Sequence, residues 1–292
     1  MKEGMKPMPV AEINGAKIHY HVKGNGLPIV FIHPPVVTSA NFQYQSAQLS
    51  DGCKVILFDI RGHGMSEASE APLTYSLIAE DIKQLLDFLG EERAYVCGYS
   101  TGGSIALEFM LKYPQRCLGG ILISGMSEMS DWLNRSRIQL GMAACTARAN
   151  RALARAIALG NADNSVTYAN LFRTAVRGNI RKWREYYRYS LIYNCTSRLR
   201  MVSHPVMLIY GKKDRFFHKY ESILRERLQK PQTFWLDGFT HQLPTKAALQ
   251  VNERIRKWIG EQQTENADPI PPTETDVHAG AFEAREDEQP RL

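Results

Sequence analysis

The sequence predicts an α/β fold: a doubly wound, mostly parallel sheet with a helical segment inserted into it. Three observations support this fold class. Short apolar segments recur along residues 10–125, as expected for strands that are buried on both faces. Segments with apolar residues at helical spacing lie between them, which favours crossover connections in a parallel sheet. Residues 126–200 contain helical patterns and no convincing strand, and strand-like segments return after them.

The predicted strands are short segments rich in apolar residues. KIHYHV at residues 17–22 alternates in polarity, which predicts a strand with one polar face. Four other predicted strands are continuous apolar segments: PIVFIH (28–33), KVILFD (54–59), RAYVCG (93–98) and GGILIS (119–124). Strands return after the insertion at HPVMLIYG (204–211) and QTFWLDG (232–238).

Helices are predicted between and after these strands. Residues 74–90 show helical spacing and end at Gly90, and residues 103–114 end at Pro114. Residues 245–261 predict a closing helix. These positions complete the alternation of strand and helix that a doubly wound sheet requires.

The same patterns divide the chain into four parts. Residues 1–125 and 201–262 form two parts of one α/β core, and residues 126–200 form the helical insertion after strand 6. Residues 263–292 are acidic, contain several prolines and have low hydrophobicity. Such a composition predicts a disordered tail.

The formal charge of +6 is unevenly distributed along the chain. Residues 261–292 contain nine acids and two bases, a net charge of −7, so residues 1–260 carry about +13. A basic protein can bind nucleic acid, but no recognition helix and no aromatic–basic RNA motif is present. We therefore expect no nucleic-acid partner. The positive charge is interpreted as a solvated face or as attraction for anionic substrates.

Targeting and cysteine patterns predict a cytoplasmic protein. No apolar run approaches the ~20 residues of a membrane helix, and the N-terminal MKEGMKPMPV lacks the apolar region of a signal peptide. The five cysteines are odd in number and form no C-x-x-C pair, which predicts reduced thiols and no zinc site. We expect no membrane attachment, no metal and no cofactor, and the oligomeric state stays open.

A serine motif lies at one of the predicted strand–helix junctions. GYSTGG places Ser100 between Gly98 and Gly102, directly after a strand and before a helix. A Gly-x-Ser-x-Gly motif in this context is a nucleophile elbow, from which the serine projects on a tight turn. The helix N-terminus supplies positive potential, and the Thr101 N–H is placed to bind a developing oxyanion. The motif therefore predicts a catalytic serine.

A serine nucleophile needs a histidine base and a carboxylate that orients it. His241 lies in the loop between the last strand and the last helix, and Asp214 follows the penultimate strand. Because both loops open at the C-terminal edge of the sheet, we expect them to meet Ser100. Asp237, four residues before the histidine, is the alternative carboxylate. The chain order serine, aspartate, histidine is typical of this elbow.

As a set, the segments FIHPP, FDIRGHGMS, GYSTGG, LIYGKKD and FTHQLP resemble the α/β-hydrolase-fold proteins, in particular their cofactor-independent serine esterase and peptidase-like members. The resemblance covers residues 12–260. It implies a hydrolase with Ser100, Asp214 and His241 as the catalytic triad. It also implies that residues 126–200 form a cap over a pocket for a small-molecule substrate.

The chain departs from this family at the second donor of the oxyanion hole. The family often has His-Gly where this chain has His-Pro, and the next residue commonly supplies the amide. That residue is Pro35, which has no N–H. The Val36 N–H is the favoured replacement. Alternatively, the side chain of Thr38 or Ser39 is the second donor, or the second donor is missing.

Other residues of the motifs are interpreted as structural. We expect His33 to bond neighbouring backbone, and the polar groups of DIRGHG to tie loops together. Several apolar residues of the insertion either line an acyl pocket or pack against the core: Met126, Met129, Trp132, Met142, Tyr168 and Phe172. The arginines of the insertion are expected on a solvated face: Arg148, Arg151, Arg155, Arg173, Arg177, Arg181, Arg184 and Arg188.

The predicted function is that of a serine hydrolase acting through an acyl-enzyme. Its substrate is expected to be a small or medium carboxylic ester, thioester, lactone or amide. A carbon–carbon bond hydrolase or an aminopeptidase of the same fold is an alternative. A ligand-binding or signalling protein that keeps the triad but turns over slowly is another. Serine at the elbow disfavours dehalogenases and epoxide hydrolases, whose nucleophile is aspartate.

Overall fold

One mixed sheet organises the computed structural model, which describes residues 9–266. In these residues it has eight strands in the order β1-β2-β4-β3-β5-β6-β7-β8. The first two strands are antiparallel to their neighbours, and β3 to β8 are parallel. The strands are β1 (Val10–Ile13), β2 (Ala16–Lys23), β3 (Leu27–Ile32), β4 (Cys53–Phe58), β5 (Ala94–Tyr99), β6 (Cys117–Ile123), β7 (Pro205–Gly211) and β8 (Lys230–Leu236).

Helices connect and cover these strands. They are α1 (Gln43–Leu49), α2 (Tyr75–Phe88), α3 (Thr101–Lys112), α4 (Trp132–Thr146), α5 (Asn150–Asn161), α6 (Ser165–Ala175), α7 (Ile180–Ile192), α8 (His218–Arg227), α9 (Leu243–Lys246) and α10 (Ala248–Asn266). Short 3₁₀ segments occupy Ser39–Phe42, Pro114–Arg116 and Thr196–Met201. The predicted fold class, a doubly wound and mostly parallel sheet, is confirmed.

The central strands are buried because helices cover both faces of the sheet. Every residue of β5 is buried, as are the last five residues of β3. Local signals set the helix ends: Thr74 caps α2 by accepting a hydrogen bond from the Leu77 amide, and Pro114 follows the end of α3. The sequence patterns did not predict β1 or α1, which are only four and seven residues long.

Helices α4 to α7 lie between β6 and β7, inside the segment predicted as the insertion. Arg148, with a φ of 55°, separates α4 from α5. The four helices have a small core of their own, which includes Cys145, Ala154, Ala175, Trp183 and Tyr187. The eight arginines predicted on a solvated face are all exposed.

The structure divides into one unit, Met1–Arg256, and a second, Lys257–Leu292. The described part of the second unit is the C-terminal portion of α10. The predicted acidic tail falls outside the described residues from 267 onward. None of the helices within residues 9–266 is both long and apolar enough to cross a membrane.

Two glycines allow the chain to turn sharply between β5 and α3. A Cβ atom on Gly98 would lie 2.2 Å from the Gly102 carbonyl oxygen, and a Cβ on Gly102 would lie 2.2 Å from the Ile32 carbonyl oxygen. Backbone atoms therefore occupy the space that any larger residue would need. Ser100, between them, has a φ of 54° and a ψ of −123°, a sparsely populated conformation for a residue with a side chain.

The loop after β4 is fixed by buried polar contacts. Asp59 accepts hydrogen bonds from the Ser39 amide at 2.9 Å, the Ser39 hydroxyl at 2.7 Å and the Met65 amide at 3.0 Å. Arg61 donates through Nε to Asp81 at 2.7 Å. These contacts hold the loops after β3 and β4 together, so both approach the C-terminal edge of the sheet in fixed positions.

Two buried histidines stand beside this loop. His33 accepts from the Ile60 amide through Nε2 and contacts the Pro34 carbonyl through Nδ1, each at 2.9 Å. Burial lowers the pKa of His33, although the charge of Asp59 opposes the shift. Burial, and then the charge of His33, lowers the pKa of His63 to about 3. Both side chains are therefore neutral in the folded protein near pH 7.

We predict that Gly102→Ala destabilises the fold by about 2 kcal/mol or more, because the methyl group would overlap backbone atoms. The control is Gly160→Ala on α5, where a Cβ atom would meet nothing within 4 Å. That change is expected to raise the free energy of unfolding by up to about 1 kcal/mol. Urea unfolding measures both. Equal stability of Gly102→Ala and the wild type would contradict the packing described.

We also predict that stability falls in acid partly through His63. Because its pKa is lowered in the folded state, the unfolded chain binds more protons below about pH 6.5. The stability it contributes is complete above that pH, and about 2 kcal/mol of it is lost by about pH 5. His63→Gln should therefore show a smaller decrease in urea midpoint than the wild type between about pH 7.5 and about pH 5. An undiminished decrease in the variant would exclude His63 as a cause.

Candidate active site

Ser100 stands at the strained turn between β5 and the first residue of α3. Its amide donates to the Ile123 carbonyl, and its carbonyl accepts from the Gly103 amide, each at 2.9 Å. The side chain is therefore carried at the C-terminal edge of the sheet, above the N-terminus of α3. The partial positive charge of that helix end favours an anion at this position.

His241 lies next to the serine and next to a carboxylate. Its Nε2 is 3.0 Å from Ser100 Oγ, and its Nδ1 is 2.9 Å from Asp214 Oδ2. With the carboxylate ionised, Nδ1 donates to Asp214 and Nε2 is left to accept the serine proton. The three residues follow β5, β7 and β8, so the parallel sheet brings them to one edge.

Several contacts hold the histidine ring. The ring centroid of Phe217 is 4.1 Å from that of His241, and the Tyr99 centroid is 5.3 Å away. The Ser124 hydroxyl donates to the His241 carbonyl at 3.2 Å. These contacts help to orient the imidazole toward Ser100.

The structure distinguishes between the two aspartates that were considered as the partner of His241. Asp214 is buried, and its amide and carbonyl bond Gly211 and Phe217 within the turn after β7. Asp237 has an exposed side chain that pairs with Lys212 at 2.8 Å. The carboxylate in contact with His241 is therefore that of Asp214.

The loop after β3 brings Pro34 and Pro35 to the cavity around Ser100. Val36 follows with a φ of 75°, which is a strained value for a β-branched residue. Its side chain packs into the core of α4 to α7. Within residues 9–266 the Val36 N–H has no hydrogen-bond acceptor, but Val36 is buried and is not among the residues that line this cavity.

The side chains weighed as alternative oxyanion donors are engaged elsewhere. The Thr38 hydroxyl donates to Thr174 at 2.9 Å, and the Ser39 hydroxyl donates to Asp59 at 2.7 Å. Neither residue lines the cavity that contains Ser100. Both line a separate cavity on the side of β2 and α6.

A cavity of about 510 Å³ opens above Ser100. Its apolar lining comes mainly from the chain between β6 and β7 and from the loop after β7: Met126, Met129, Ile138, Ile157, Tyr187, Phe216 and Phe217. Of the residues considered for an acyl pocket, Met126 and Met129 lie here. Trp132 is 77% exposed, and Met142 and Phe172 pack against the core of α4 to α7.

The cavity also has polar residues that the sequence reasoning missed. The Tyr99 hydroxyl donates to Asn161 Oδ1 at 3.2 Å, which links the residue before the nucleophile to α5. Asn134, Arg137, Lys213, Thr240 and Gln242 also belong to this polar lining. Lys213 adjoins Asp214 in the sequence and could have been found from that position. The residues of α4 and α5 carry no motif that would have identified them.

Among the described residues, neither the cysteines nor any cluster of metal-binding side chains is arranged for catalysis at this cavity. All five cysteines are buried free thiols, and burial raises the pKa of Cys97 well above its ordinary value. In the described part of the chain, no group of three or more His, Cys, Asp and Glu side chains is placed to bind a metal ion. The residues at the cavity fit acid–base and nucleophilic chemistry.

Comparisons with known sequences find similarity to α/β-hydrolase proteins over part of the chain. The family model for the alpha/beta hydrolase fold matches residues 28–142. The AB hydrolase superfamily protein YisY of Bacillus subtilis is 26% identical over 210 residues, which cover 66% of this chain and 76% of that protein. A dihydrolipoyllysine-residue acetyltransferase component of the acetoin cleaving system of Cupriavidus necator is 32% identical over 115 residues. That match covers 39% of this chain and only 31% of the relative.

A comparison with solved structures extends the similarity to most of the chain. An esterase from Exiguobacterium antarcticum superposes with a TM-score of 0.78 at 17% sequence identity. The superposition covers 86% of this chain and 98% of the esterase. At this identity the likeness concerns the fold. Together with the family model over residues 28–142 and the sheet order, these comparisons show that the chain has the α/β-hydrolase fold.

Proposed function

We propose that this protein is a serine hydrolase that cleaves a small or medium carboxylic ester, thioester, lactone or amide through an acyl-enzyme on Ser100. One observation carries the proposal: a continuous hydrogen-bonded line from Ser100 Oγ through His241 to Asp214, with spacings of 3.0 and 2.9 Å. Both distances are within hydrogen-bonding reach, as general acid–base catalysis requires. The structural likeness to an esterase is consistent with the proposal.

In the acylation step, Ser100 Oγ attacks the substrate carbonyl carbon while His241 Nε2 takes the hydroxyl proton. The Asp214 carboxylate accepts the Nδ1 hydrogen bond, which fixes the tautomer and stabilises the imidazolium that forms. His241 then gives its proton to the leaving oxygen, sulfur or nitrogen as the bond to the carbonyl carbon breaks. Water later attacks the acyl-enzyme with His241 as base, which releases the acid and restores the serine.

The negative charge on the carbonyl oxygen needs donors that are already in place. The Thr101 N–H is the first, because it is the first residue of α3 and its amide has no partner within the helix. The Val36 N–H is proposed as the second. Pro35 cannot serve, and the strained φ of 75° at Val36 is the conformation in which the chain leaves the two prolines.

The cavity limits the size of the substrate. A volume of about 510 Å³ is within the range typical of small-molecule sites. Its mixture of methionine, isoleucine and aromatic side chains favours an acyl or alcohol part with an apolar portion. A long polymer or a folded protein would not fit inside it.

One observation favours a second candidate, a ligand-binding protein that keeps the triad and turns over slowly. Pro35 removes the amide that commonly completes the oxyanion hole, and the loss of one such donor can cost ~10²–10³ in rate. The two candidates differ in whether Ser100 reacts at all on a practical timescale.

We predict that a fluorophosphonate probe labels the wild-type protein and does not label Ser100→Ala. The hydroxyl activated by His241 is the expected nucleophile, so the variant should also lose ester turnover by at least about 10³-fold. Gel fluorescence and a panel of short-chain esters measure these effects. Absence of Ser100-dependent labelling together with absence of turnover would favour the slow ligand-binding protein.

We predict that Asp214→Asn lowers kcat about 10³–10⁴-fold without loss of folding, because an amide cannot stabilise the imidazolium or hold the same tautomer. Asp237→Asn is the matched control. Its side chain is exposed and pairs only with Lys212 in the described structure, so turnover should change less than about twofold. The opposite ranking of the two variants would show that Asp214 is not the partner of His241.

A further inference from the structure

Two cationic side chains line the same cavity as Ser100. They are Arg137, on α4, and Lys213, in the turn after β7. Neither has a carboxylate partner among residues 9–266, although many other basic residues of the protein do. The acidic side chain that shares the cavity is Asp214, and it is engaged with His241. The free charge facing this cavity is therefore positive.

The guanidinium of Arg137 is held in place by uncharged groups. Its Cζ lies 5.7 Å from the centre of the Phe216 ring, an arrangement in which the ring face attracts the cation. Its Nη1 donates to Asn134 Oδ1 at 3.1 Å. These contacts restrict the side chain and leave its full charge and most of its donors available to a ligand.

Asn134 is itself oriented so that its oxygen faces the arginine. Its backbone amide donates to Asp131 Oδ1 at 2.8 Å, and its side-chain Nδ2 donates to Asp131 Oδ2 at 2.9 Å. The Tyr220 hydroxyl donates to the same carboxylate. Burial alone would raise the pKa of Asp131, but the hydrogen bonds from Asn134 and Tyr220 outweigh it and lower the pKa. The carboxylate therefore stays ionised and fixes the asparagine amide.

The second cation belongs to the loop that carries the triad. Lys213 is exposed, and its backbone amide donates to the Phe239 carbonyl at 2.9 Å. Its neighbour Lys212 pairs with Asp237 and does not line the cavity. Of these two adjacent lysines, the one without an acidic partner in the described residues is the one that faces the cavity.

We propose that the substrate carries a carboxylate, which Arg137 and Lys213 bind while its ester or lactone group lies at Ser100. The inference rests on the proposed function and adds the substrate class. Arginine binds a carboxylate through paired N–H donors, and lysine adds a point charge. Asn134 and Phe216 act as positioning residues for the arginine.

The two cations are close in the chain to residues that contact His241, directly or through a neighbouring ring. Arg137 packs over Phe216, and the next residue, Phe217, packs on the His241 ring with 4.1 Å between centroids. Lys213 is the residue before Asp214. Because His241 delivers the proton to the leaving group, a carboxylate on the leaving alcohol is the arrangement that best meets both cations.

The test measures binding in Ser100→Ala, so that intact esters can be used and turnover is not needed. One ligand pair is para-acetoxybenzoate and its neutral amide, para-acetoxybenzamide, with the charge on the leaving group. A second pair, monophenyl succinate and phenyl succinamate, has the charge on the acyl group. Calorimetry should show at least one anionic ligand binding about tenfold or more tightly than its amide, which corresponds to about 1.4 kcal/mol.

In the same background, Arg137→Gln and Lys213→Met should each remove most of that preference while changing the affinity for the neutral amide less than about twofold. The controls are Arg155→Gln, an exposed arginine on α5, and Lys212→Met, neither of which lines the cavity. Both should keep the preference. Added salt should weaken the anionic ligand selectively.

Several results would overturn the inference. These are equal affinity for the charged and neutral members of both pairs, no measurable binding of either anion, or equal weakening of charged and neutral ligands by Arg137→Gln. Because the serine is absent from the test protein, failure of serine hydrolysis would not produce these results. Failure of the proposed function appears separately, as loss of Ser100-dependent labelling in the wild-type protein.

Discussion

The close approach of β3, β5 and α3 is the constraint on which the site depends. Gly98 and Gly102 let backbone atoms meet where a Cβ atom would be 2.2 Å from a carbonyl oxygen. That contact fixes the strained turn of Ser100 above the N-terminus of α3, and it places the same helix start against the end of β3. The nucleophile and the loop bearing Val36 are therefore positioned by two adjoining packing contacts. The histidine and the aspartate reach the nucleophile because parallel strands end at one edge.

The helical segment is joined to this edge by specific polar contacts. The Tyr186 hydroxyl donates to the His33 carbonyl at 2.9 Å, at the start of the proline loop. Asn161 accepts from Tyr99 through its side chain and from Thr245 through its carbonyl. These bonds connect α7 to the loop after β3, and α5 to the last residue of β5 and to α9. A cavity walled in this way can select a ligand by shape and charge before the carbonyl group meets the serine.

Much of this arrangement could be predicted from the sequence because its signals are local. Continuous apolar strands, Gly90 and the motif around Ser100 predicted the fold class and the position of the elbow. Asp214 and His241 followed from the rule that loops after parallel strands share one edge. The cavity lining was not predictable, since Trp132 and Met129 have similar hydrophobicity in the sequence and only the helix packing exposes one and buries the other. That Arg137 has no carboxylate partner among the described residues was likewise not predictable, because its contacts with Asn134 and Phe216 depend on how α4 meets the loop after β7.

The proposed function requires that Ser100 becomes covalently acylated during turnover. The most direct measurement is intact-protein and peptide mass spectrometry after rapid acid quenching of the protein mixed with a reactive acetyl ester. We expect an added acetyl group on the peptide that contains Ser100, present during turnover and lost once the ester is consumed. Turnover of the ester with no adduct at Ser100, or with an adduct only at another residue, would contradict it.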